Sequence, residues 1–453
     1  MNNDPLSQVE LIREVFNYQS RFEGSTMVFK IEYPVTEDPG FPGLVKDLAL
    51  LAQTGFKVVI VSGARENIDA ILKRHEIDSS YVLTSDPPIR ITTSQAIPFV
   101  EMAVFDAASR FMTLLSGGKV EALIGNFVRA RGLGIRDGVD MEHTGVVDKI
   151  YADSISRVLN LGMVPILPCI GWSPSGKPYN VPSDEIALAV STALGAVKLF
   201  IVSIHDELRA DFFNLPEKPK TRPDGRLVRL TPHEVEEFFA ANGDFNGRNE
   251  NENASWRKYL GELKLALRAS RAGIHRVHII DGREEGAVLK ELFSNLGVGT
   301  MIYADEYDSI RAFHSGDLPD ILRLMEPLMQ QGILVRRSAE QIQENQDDYA
   351  VFEIDGSIHA CGALHDRGEA QGEIAAVATD PLYKDMGLGR RIVGYLIEKA
   401  RKKRMRRVFV LTTQTQDWFE SLGFGEAPVD SLPEQKRKVY DQSRKSKVFA
   451  LEL

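Results

Sequence analysis

Short apolar runs alternate with segments of helical periodicity along the first two thirds of the chain. The run FKVVIV at 56–61 is bulky and uninterrupted, as expected of a strand buried on both faces of a parallel sheet. It leads into Ser62-Gly63-Ala64-Arg65 and then into a helical pattern. Further strands are predicted at 27–31, 163–167, 197–202, 276–280 and 298–302, and further helices at 44–54, 184–194 and 284–294. This alternation predicts an α/β fold on a mostly parallel sheet.

A second pattern of short strands and helices begins after residue 309. It contains a strand and helix between 310 and 328, a hairpin formed by 349–354 and 357–365, and a strand at 408–413. The polar segment YADEYDS predicts a linker at 303–309 between domains at 1–302 and 310–453. Residues 213–255 are rich in Pro, Lys, Asn, Gly and acidic side chains, so they are predicted to form a surface loop or insertion.

Composition narrows the class of protein. The 54 basic and 64 acidic side chains give a net charge of −10, which argues against nucleic-acid binding through bulk charge. Cys169 and Cys361 lie far apart, without Cys or His at ligand spacing, so neither a disulfide framework nor a metal site is predicted. The first residues do not resemble a signal peptide, and we expect a cytoplasmic protein without a membrane partner.

The most informative short motif is a Gly-x-Gly at Gly387 and Gly389, between a β-prone apolar run and a helical pattern. Small residues let backbone N–H groups approach a ligand, and a helix N-terminus favours negative charge. The pyrophosphate of a nucleotide-type cofactor would therefore fit there. An ordinary strand-to-helix turn has the same pattern, so both interpretations stay open at this point.

The order of elements from 310 to 424, with WFESLGF at 418–424, resembles the Gcn5-related N-acetyltransferase (GNAT) family. That family holds the pyrophosphate of acetyl-coenzyme A with an Arg/Gln-x-x-Gly-x-Gly loop, in which Lys384 here replaces the usual first residue. The resemblance implies a GNAT α/β domain with acetyl-CoA as co-substrate. The residues implied to contact acetyl-CoA are Val377, Ala378, Lys384, Gly387, Gly389, Arg390, Leu411 and Trp418.

Longer segments resemble the bacterial two-domain N-acetylglutamate synthase family. They are GARENIDAIL at 63–72, GNFVRARGLGIRDGVD at 125–140, HTGVVDKI at 143–150, QQGILVRRS at 330–338, GEIAAVA at 372–378 and most of the last fifty residues. The resemblance implies acetyl transfer from acetyl-CoA to the α-amine of L-glutamate, the first step of arginine biosynthesis, without a metal.

Two residues are implied to move protons in this reaction. An ammonium cannot attack a thioester, so a base must accept a proton, and the departing thiolate benefits from a proton donor. The resemblance implies that Glu373 is the base and Thr412 the donor. The alternatives are an exposed strand carboxylate for Glu373 and a purely structural β-branched residue for Thr412.

The substrate has two carboxylates, for which Arg supplies a bidentate cation. The resemblance implies that Arg336 and Arg444 hold L-glutamate, with Ser446 as a hydroxyl donor. An error of one residue in the alignment would exchange Arg336 for Arg337. Arg444 could also be a solvated charge in a basic tail.

The first domain resembles the amino acid kinase family, and particularly N-acetylglutamate kinase. Kinases of that family begin with Lys-x-Gly-Gly, whereas this chain has Lys30-Ile31-Glu32-Tyr33. Alignment also puts Glu262 where the kinases have a second phosphate-stabilising lysine, although Lys264 lies close by. A carboxylate beside a triphosphate is repulsive, so we expect this domain not to transfer phosphate.

The segment 278–300 resembles the arginine-binding segment of arginine-sensitive acetylglutamate kinases. The resemblance implies backbone contacts to L-arginine from His278 and Gly297, and an ion pair from Glu291. Alternatively, Glu291 is the exposed residue of an amphipathic helix. Residues 9–18 look amphipathic, and such a helix in the family supports a homo-oligomer, here expected to be a tetramer or hexamer.

Three functional hypotheses follow. The leading one is an arginine-regulated acetyltransferase that acts on L-glutamate, with catalysis in the second domain. The others are an N-acetylglutamate kinase with an accessory acetyltransferase domain, and a non-catalytic sensor of arginine and CoA. The missing glycines oppose the kinase, and the combination of Glu373, Arg336, Arg444 and Ser446 opposes the sensor.

Overall fold

The computed structural model describes residues 15–453 with several gaps. The residues outside the description are 1–14, 17–18, 20–21, 83–87, 137, 205–219, 222–226, 243–249, 294–296, 304–307, 355–356, 382 and 384–386. Lys384 and most of the segment 9–18 therefore lie outside the described residues. The chain divides into two compact units, 1–305 and 306–453, and this division falls inside the segment 303–309.

The first unit contains a nine-stranded sheet in which six of the eight strand pairings are parallel. The described strands of this unit are β1 (Thr26–Ile31), β2 (Lys57–Ser62), β3 (Tyr81–Val82), β4 (Ile89–Arg90), β5 (Ala122–Ile124), β6 (Val128–Gly132), β7 (Ile135–Arg136), β8 (Val139–Asp140), β9 (Gly145–Ile150), β10 (Val164–Pro168), β11 (Ile170–Trp172), β12 (Pro178–Asn180), β13 (Lys198–Ser203), β14 (Lys220–Thr221), β15 (Leu227–Leu230), β16 (Arg276–Asp281) and β17 (Thr300–Tyr303). The described helices are Tyr33–Thr36, Phe41–Gln53, Arg65–Arg74, Ile97–Gly117, Ala152–Asn160, Ser183–Ala193, Pro232–Asn242, Glu250–Arg271 and Ala287–Phe293.

The large sheet has the strand order β14-β15-β17-β16-β13-β1-β2-β10-β5, with hydrophobic cores on both faces. Val28 and Val59 belong to one core, whereas Phe29 and Ile60 belong to the other. Successive strand residues point to opposite faces, so a continuous apolar run fills two cores at once. The predicted mostly parallel α/β fold is confirmed.

Residues 213–255 were predicted to be a surface loop or insertion, and the loop prediction is wrong for most of the described residues of this segment. The structure places β14, β15 and the helix Pro232–Asn242 there, and the helix Glu250–Arg271 begins within it. The Thr231 N–H donates to the Glu234 carboxylate at 2.6 Å, and the Glu234 N–H donates to the Thr231 hydroxyl at 3.2 Å. This capping box starts the first helix, and buried Val235 and Phe238 then attach it to the core.

The second unit contains a seven-stranded sheet of order β18-β19-β20-β21-β22-β24-β23. Its strands are β18 (Asp308–Ala312), β19 (Tyr349–Ile354), β20 (Ser357–Asp366), β21 (Gln371–Thr379), β22 (Arg407–Thr412), β23 (Gly425–Ala427) and β24 (Lys447–Glu452). The described helices are Leu318–Gln330, Ala339–Glu344, Leu388–Lys402, Gln416–Glu420 and Glu434–Lys438, and short 3₁₀ turns lie at Ser315–Asp317, Gln346–Asp348, Val429–Ser431 and Gln442–Arg444.

The two longest helices of this unit cover opposite faces of its sheet. Ile392 and Leu396, one turn apart on Leu388–Lys402, pack on one face, and Ile321 and Met325 of Leu318–Gln330 pack on the other. Among the described residues, no helix combines the length and the apolar character needed to span a bilayer. In the same part of the chain, no cluster of three or more His, Cys, Asp or Glu side chains is arranged to hold a metal ion.

Candidate active site

The two central strands of the second unit separate part-way along their length. β21 and β22 are the parallel pair of this sheet, but they pair only from Gln371↔Arg407 to Glu373↔Phe409. Beyond Glu373, β22 stays paired with β24 on its other side, while β21 stays paired with β20. A register shift against β20, with Ala376 at a positive φ of 54°, marks a bulge in β21 at this separation. The sheet therefore opens into a fork with Glu373 at its apex.

Glu373 is 4% exposed, and its carboxylate contacts two cations. Its Oε2 accepts a hydrogen bond from Arg367 Nε at 2.7 Å, and its Oε1 lies 2.6 Å from Lys436 Nζ. Burial favours the neutral acid, but the charges of Lys436 and Arg367 outweigh it and hold the pKa of Glu373 below its ordinary value. Glu373 is thus buried rather than an exposed strand carboxylate, and it is ionised at neutral pH.

Thr412 ends β22 on the other arm of the fork. Its hydroxyl oxygen accepts the backbone N–H of Thr415 at 3.0 Å and that of Gln414 at 3.3 Å, and it shares a further hydrogen bond with the Thr415 hydroxyl at 2.8 Å. These contacts give Thr412 a structural role in the turn that follows the strand. Its role as a proton donor stays a prediction.

The helix Leu388–Lys402 begins directly after Gly387, which adopts a left-handed φ of 66°. The N–H groups of a first helical turn have no acceptor within the helix, so they can bind an anion. Gly389 is closely packed, because a Cβ atom at that position would lie 3.1 Å from Trp418 Cζ2. A side chain at Gly389 would push Trp418 away from the start of this helix by a few tenths of an ångström.

The other residues predicted to contact acetyl-CoA lie around the same opening. Val377 and Ala378 follow the bulge on β21, and Leu411 lies on β22 beyond its last pair with β21. Arg390, in the first turn of the helix, is exposed and donates from Nη2 to the Ser421 hydroxyl at 3.3 Å. Apart from Lys384, which lies outside the described residues, the predicted set is thus distributed over the fork and the helix start.

Two segments predicted to hold the substrate are in contact. Arg444 Nη2 donates to the carbonyls of Gly332 and Ile333 at 2.9 and 3.1 Å, which ties the C-terminal segment to the turn after Leu318–Gln330. Arg336 is exposed, three residues beyond this turn. The Arg337 side chain instead bonds within its own segment, since its Nη1 donates to the Val335 carbonyl at 3.1 Å.

Ser446 is placed by a tyrosine that the sequence analysis did not single out. The Tyr440 hydroxyl donates to the backbone carbonyl of Ser446. Arg367 and Lys436 were also missed. Arg367 had a signal, because it lies in the tight turn from β20 to β21 that brings it close to Glu373. Lys436 lies 63 positions after Glu373 within a run of basic residues, and no local pattern distinguishes it.

Comparison with known proteins places this geometry in a family. Residues 35–246 match the amino acid kinase family, and residues 318–424 match the acetyltransferase (GNAT) family. Amino-acid acetyltransferases of Salmonella typhimurium and Escherichia coli K12 are 32% and 33% identical to the chain, and each alignment covers 98% of both proteins. The chain belongs to the amino-acid acetyltransferase family. The resemblance inferred from the sequence is confirmed, and the chain is an acyltransferase.

A solved member of this group agrees in fold. The crystal structure of N-acetylglutamate synthase from Neisseria gonorrhoeae, complexed with coenzyme A and L-arginine, has a TM-score of 0.81 and 31% identity, over 98% of this chain and 99% of that one. A second structure of the synthase from that organism, with coenzyme A and N-acetyl-glutamate, has a TM-score of 0.57 and 32% identity over the same shares.

The kinase-like unit of this family member has a buried charged centre around Lys30. Lys30 Nζ lies 2.5 Å from both Glu32 Oε1 and Asp184 Oδ1. Burial opposes the charge of Lys30, yet Asp184, Glu32 and Glu262 outweigh it and raise the pKa of Lys30 above its ordinary value. A Cβ atom at Gly63 would lie only 2.9 Å from Glu32 Oε2, so Glu32 is closely packed there. The charge of Lys30 is thus neutralised internally.

Glu262, rather than Lys264, is oriented toward this centre. Neither carboxylate oxygen of Glu262 has a hydrogen-bond partner within the described part of the chain, and burial raises its pKa to about 7 despite the charge of Lys30. Lys264 instead lies 5.6 Å from the centre of the Phe239 ring. Lys264 therefore does not take the place of the second phosphate-stabilising lysine beside Lys30.

Two of the predicted arginine-binding residues, His278 and Glu291, are buried and in contact, with Gly297 beside them. Glu291 Oε1 lies 2.7 Å from His278 Nδ1, and its Oε2 accepts the N–H groups of Val298 and Gly299 at 2.6 and 2.9 Å. Burial opposes its charge, but these partners lower the pKa of Glu291 to about 2. Gly297 is necessary here, because a Cβ atom would overlap Glu291 Oε2. The alternative that Glu291 is exposed on a helix is wrong.

Proposed function

We propose that this acyltransferase moves the acetyl group of acetyl-CoA to the α-amine of L-glutamate, giving N-acetyl-L-glutamate in the first step of arginine biosynthesis. The observation that carries the proposal is full-length similarity to amino-acid acetyltransferases, with a buried ionised glutamate at the apex of an open fork. The Neisseria gonorrhoeae synthase, bound to coenzyme A and N-acetyl-glutamate, supports the choice of substrate and product.

Acetyl-CoA is assigned to the fork and the adjoining helix start. Its pyrophosphate would accept hydrogen bonds from the first turn after Gly387, with Arg390 and Lys384 supplying positive charge. Its pantetheine arm would lie between the separated strands, against Val377, Ala378 and Leu411, where the backbone of β21 and β22 is no longer mutually paired. Trp418 would close the site beside Gly389.

The chemistry requires one bond to form and one to break. The amine nitrogen attacks the thioester carbonyl, the C–N bond forms, the C–S bond breaks, and CoA leaves as a thiolate. Glu373, already ionised, accepts the proton that the substrate ammonium must lose before attack. The nitrogen loses a second proton as the amide forms, and the thiolate gains one from the Thr412 hydroxyl, which that second proton restores. Arg336, Arg444 and Ser446 are assigned to the two substrate carboxylates.

Transfer is proposed to be direct, without an acetyl-enzyme. Both cysteines of the chain are buried, and burial raises the pKa of Cys361 to about 12, so its thiol stays protonated at neutral pH. Cys169 belongs to the kinase-like unit. A cysteine that carries the acetyl group must first be a thiolate, and neither buried cysteine supplies one.

L-Arginine is proposed to regulate the reaction through His278, Glu291 and Gly297. The arginine-bound Neisseria gonorrhoeae synthase supports this assignment. The guanidinium of arginine would compete with His278 for the Glu291 carboxylate, since both are donors to the same group. We also infer a cytoplasmic homo-oligomer, a tetramer or hexamer, whose mass light scattering would measure with and without arginine.

One assay tests the reaction and its rivals. The purified protein is given acetyl-CoA and L-glutamate, with or without L-arginine, and thiol release is followed. In parallel, ATP consumption with N-acetylglutamate is measured. We expect glutamate-dependent thiol release that responds to arginine, and no ATP consumption. ATP turnover without thiol release would make the protein a kinase, and neither activity would favour the sensor hypothesis.

A further inference from the structure

The chain that connects β21 to the cofactor helix is held at its first residue, Asp380. Asp380 directly follows β21 and is 3% exposed. Its backbone N–H donates to the His359 carbonyl at 2.8 Å, and its own carbonyl accepts the N–H of Tyr383 at 3.0 Å. A buried carboxylate needs donors to offset its desolvation, so its partners determine where this residue can lie.

Two cationic or titratable side chains from other elements contact this carboxylate. His359 Nδ1, on β20, lies 3.1 Å from Asp380 Oδ2, and Arg323 Nη1, on the helix Leu318–Gln330, lies 3.4 Å from the same oxygen. Arg323 is itself held by a 2.8 Å hydrogen bond to the Ile358 carbonyl. The His359 ring also packs on Tyr383, with their centres 4.0 Å apart. The residue after β21 is therefore fixed to a strand and a helix at once.

The residue before this anchor lies beside the proposed pyrophosphate site. Thr379 has its Cγ2 atom 3.6 Å from where a Cβ would lie at Gly389. A displacement of Asp380 would move Thr379, its neighbour in the chain, relative to the helix start, and hydrogen bonds to a pyrophosphate depend on displacements of well under 1 Å.

We propose that His359 and Asp380 are positioning residues for acetyl-CoA, which align the helix start with the pyrophosphate of the cofactor. The inference rests on the proposed use of acetyl-CoA. His359 acts through Asp380 and Thr379 and does not touch the reacting atoms. The effect of replacing His359 should therefore depend on whether the acyl donor has a pyrophosphate. A general loss of protein stability would affect both kinds of donor equally.

The test compares two acyl donors in the full-length enzyme. Acetyl-CoA contains the pyrophosphate, and acetyl-pantetheine lacks both the pyrophosphate and the nucleotide. We expect His359→Ala to raise KM for acetyl-CoA about tenfold or more, equivalent to about 1.4 kcal/mol, while kcat, KM for L-glutamate and kcat/KM for acetyl-pantetheine stay within twofold of wild type. His359→Asn keeps a donor near the Nδ1 position and should restore most of the acetyl-CoA affinity.

A matched control lies on the same strand. His365 also pairs with a carboxylate, Asp348 Oδ2, at 2.6 Å, but that carboxylate lies before β19 and not beside the cofactor helix. His365→Ala should lower thermal stability without discriminating between the two donors. Equal losses with both donors in His359→Ala, or the same selectivity in His365→Ala, would overturn the proposal.

Direct binding separates this inference from the proposed reaction. Calorimetric titration with CoA should give a Kd about tenfold weaker for His359→Ala than for wild type, whether or not L-glutamate is the acceptor. Unchanged CoA binding would reject the inference, whereas wild-type protein that binds CoA but does not acetylate L-glutamate would reject the proposed function alone. If His359→Ala does not fold, Asp380→Asn, which removes the charge at nearly constant volume, is subjected to the same comparison.

Discussion

Glu373 in the acetyltransferase unit and Glu262 in the kinase-like unit are equally buried, yet their pKa values shift in opposite directions. Glu373 contacts Lys436 and Arg367, so its charged form is stabilised. Near Glu262, Lys30 is already paired with Glu32 and Asp184, and the charges of Lys30 and Lys258 do not outweigh the desolvation. Two equally buried carboxylates thus differ in pKa because only Glu373 is in direct contact with cations.

The comparison also separates two kinds of charged centre. The first lies at the apex of a fork whose arms have unshared backbone edges, and its glutamate is ready to accept a proton. The second contains an internal carboxylate, Glu32, against the lysine that would otherwise attract an anion. An anionic phosphate would have to displace Glu32 and approach Glu262, which supports the prediction that this unit does not transfer phosphate.

The largest effect is expected from removal of the proton acceptor in the fork. Glu373→Gln should lower kcat by about 10²- to 10⁴-fold, the usual contribution of general base catalysis, while CoA binding survives. Initial rates over a range of pH, with calorimetry for CoA, measure both. Glu398→Gln, an exposed carboxylate paired with Arg401, is the control. If Glu373→Gln left the rate and the pH profile unchanged, Glu373 would not be the general base.

The next effect concerns the unpaired carboxylate of the kinase-like unit. Because the pKa of Glu262 is about 7 in the folded protein, above its unfolded value, folding takes up a proton and stability falls as pH rises from about 4.5 through 7. Glu262→Gln should remove this loss and stabilise the unit at pH 8 by up to about 3 kcal/mol, with little gain at pH 4.5.

Unfolding by urea at the two pH values measures the difference. Glu236→Gln, which alters an exposed carboxylate paired with Arg271, should show no such pH dependence. The same gain at both pH values would mean that Glu262 is not protonated on folding, and the contrast with Glu373 would then fail.

Glu291 sharpens the comparison, because it is a buried glutamate with partners in the kinase-like unit. Glu291→Gln removes the charge that we assign to the arginine guanidinium, at a cost of about 1.5–3 kcal/mol for a charge-assisted hydrogen bond. The concentration of L-arginine that gives half its effect on thiol release should rise about tenfold or more. Glu284→Gln, near the same helix but paired with Lys290 at the surface, is the control; equal arginine responses in both variants would refute the assignment.

The smallest predicted effect is a shift in a pH profile. Lys436→Met removes one of the two cations beside Glu373, so the pKa of Glu373 should rise and the acid limb of kcat/KM should move upward by about one pH unit. Lys438→Met, on the same short helix but paired with exposed Glu434, should leave the limb in place. A downward shift, or none, would show that Lys436 does not lower the pKa of Glu373.

Much of the fold follows from local sequence patterns. The apolar runs at 27–31 and 56–61 predicted strands of a parallel sheet, and the structure shows why, because each run fills two cores. The motif Gly387-x-Gly389 predicted a helix start for a cofactor. The helix Pro232–Asn242 was also predictable, since Thr231 and Glu234 form a capping box, but the polar composition around it obscured that signal.

Fold class and family could both be predicted from the amino-acid sequence, and resemblance identified candidate residues one by one. The electrostatic states of those residues followed only from their positions in the folded chain. Arg367, Glu373 and Lys436 meet although up to 69 positions separate them, and Lys30 meets Asp184 across more than 150. Ionisation depends on burial and on distances of a few ångströms between charges, and neither quantity is encoded in any local periodicity.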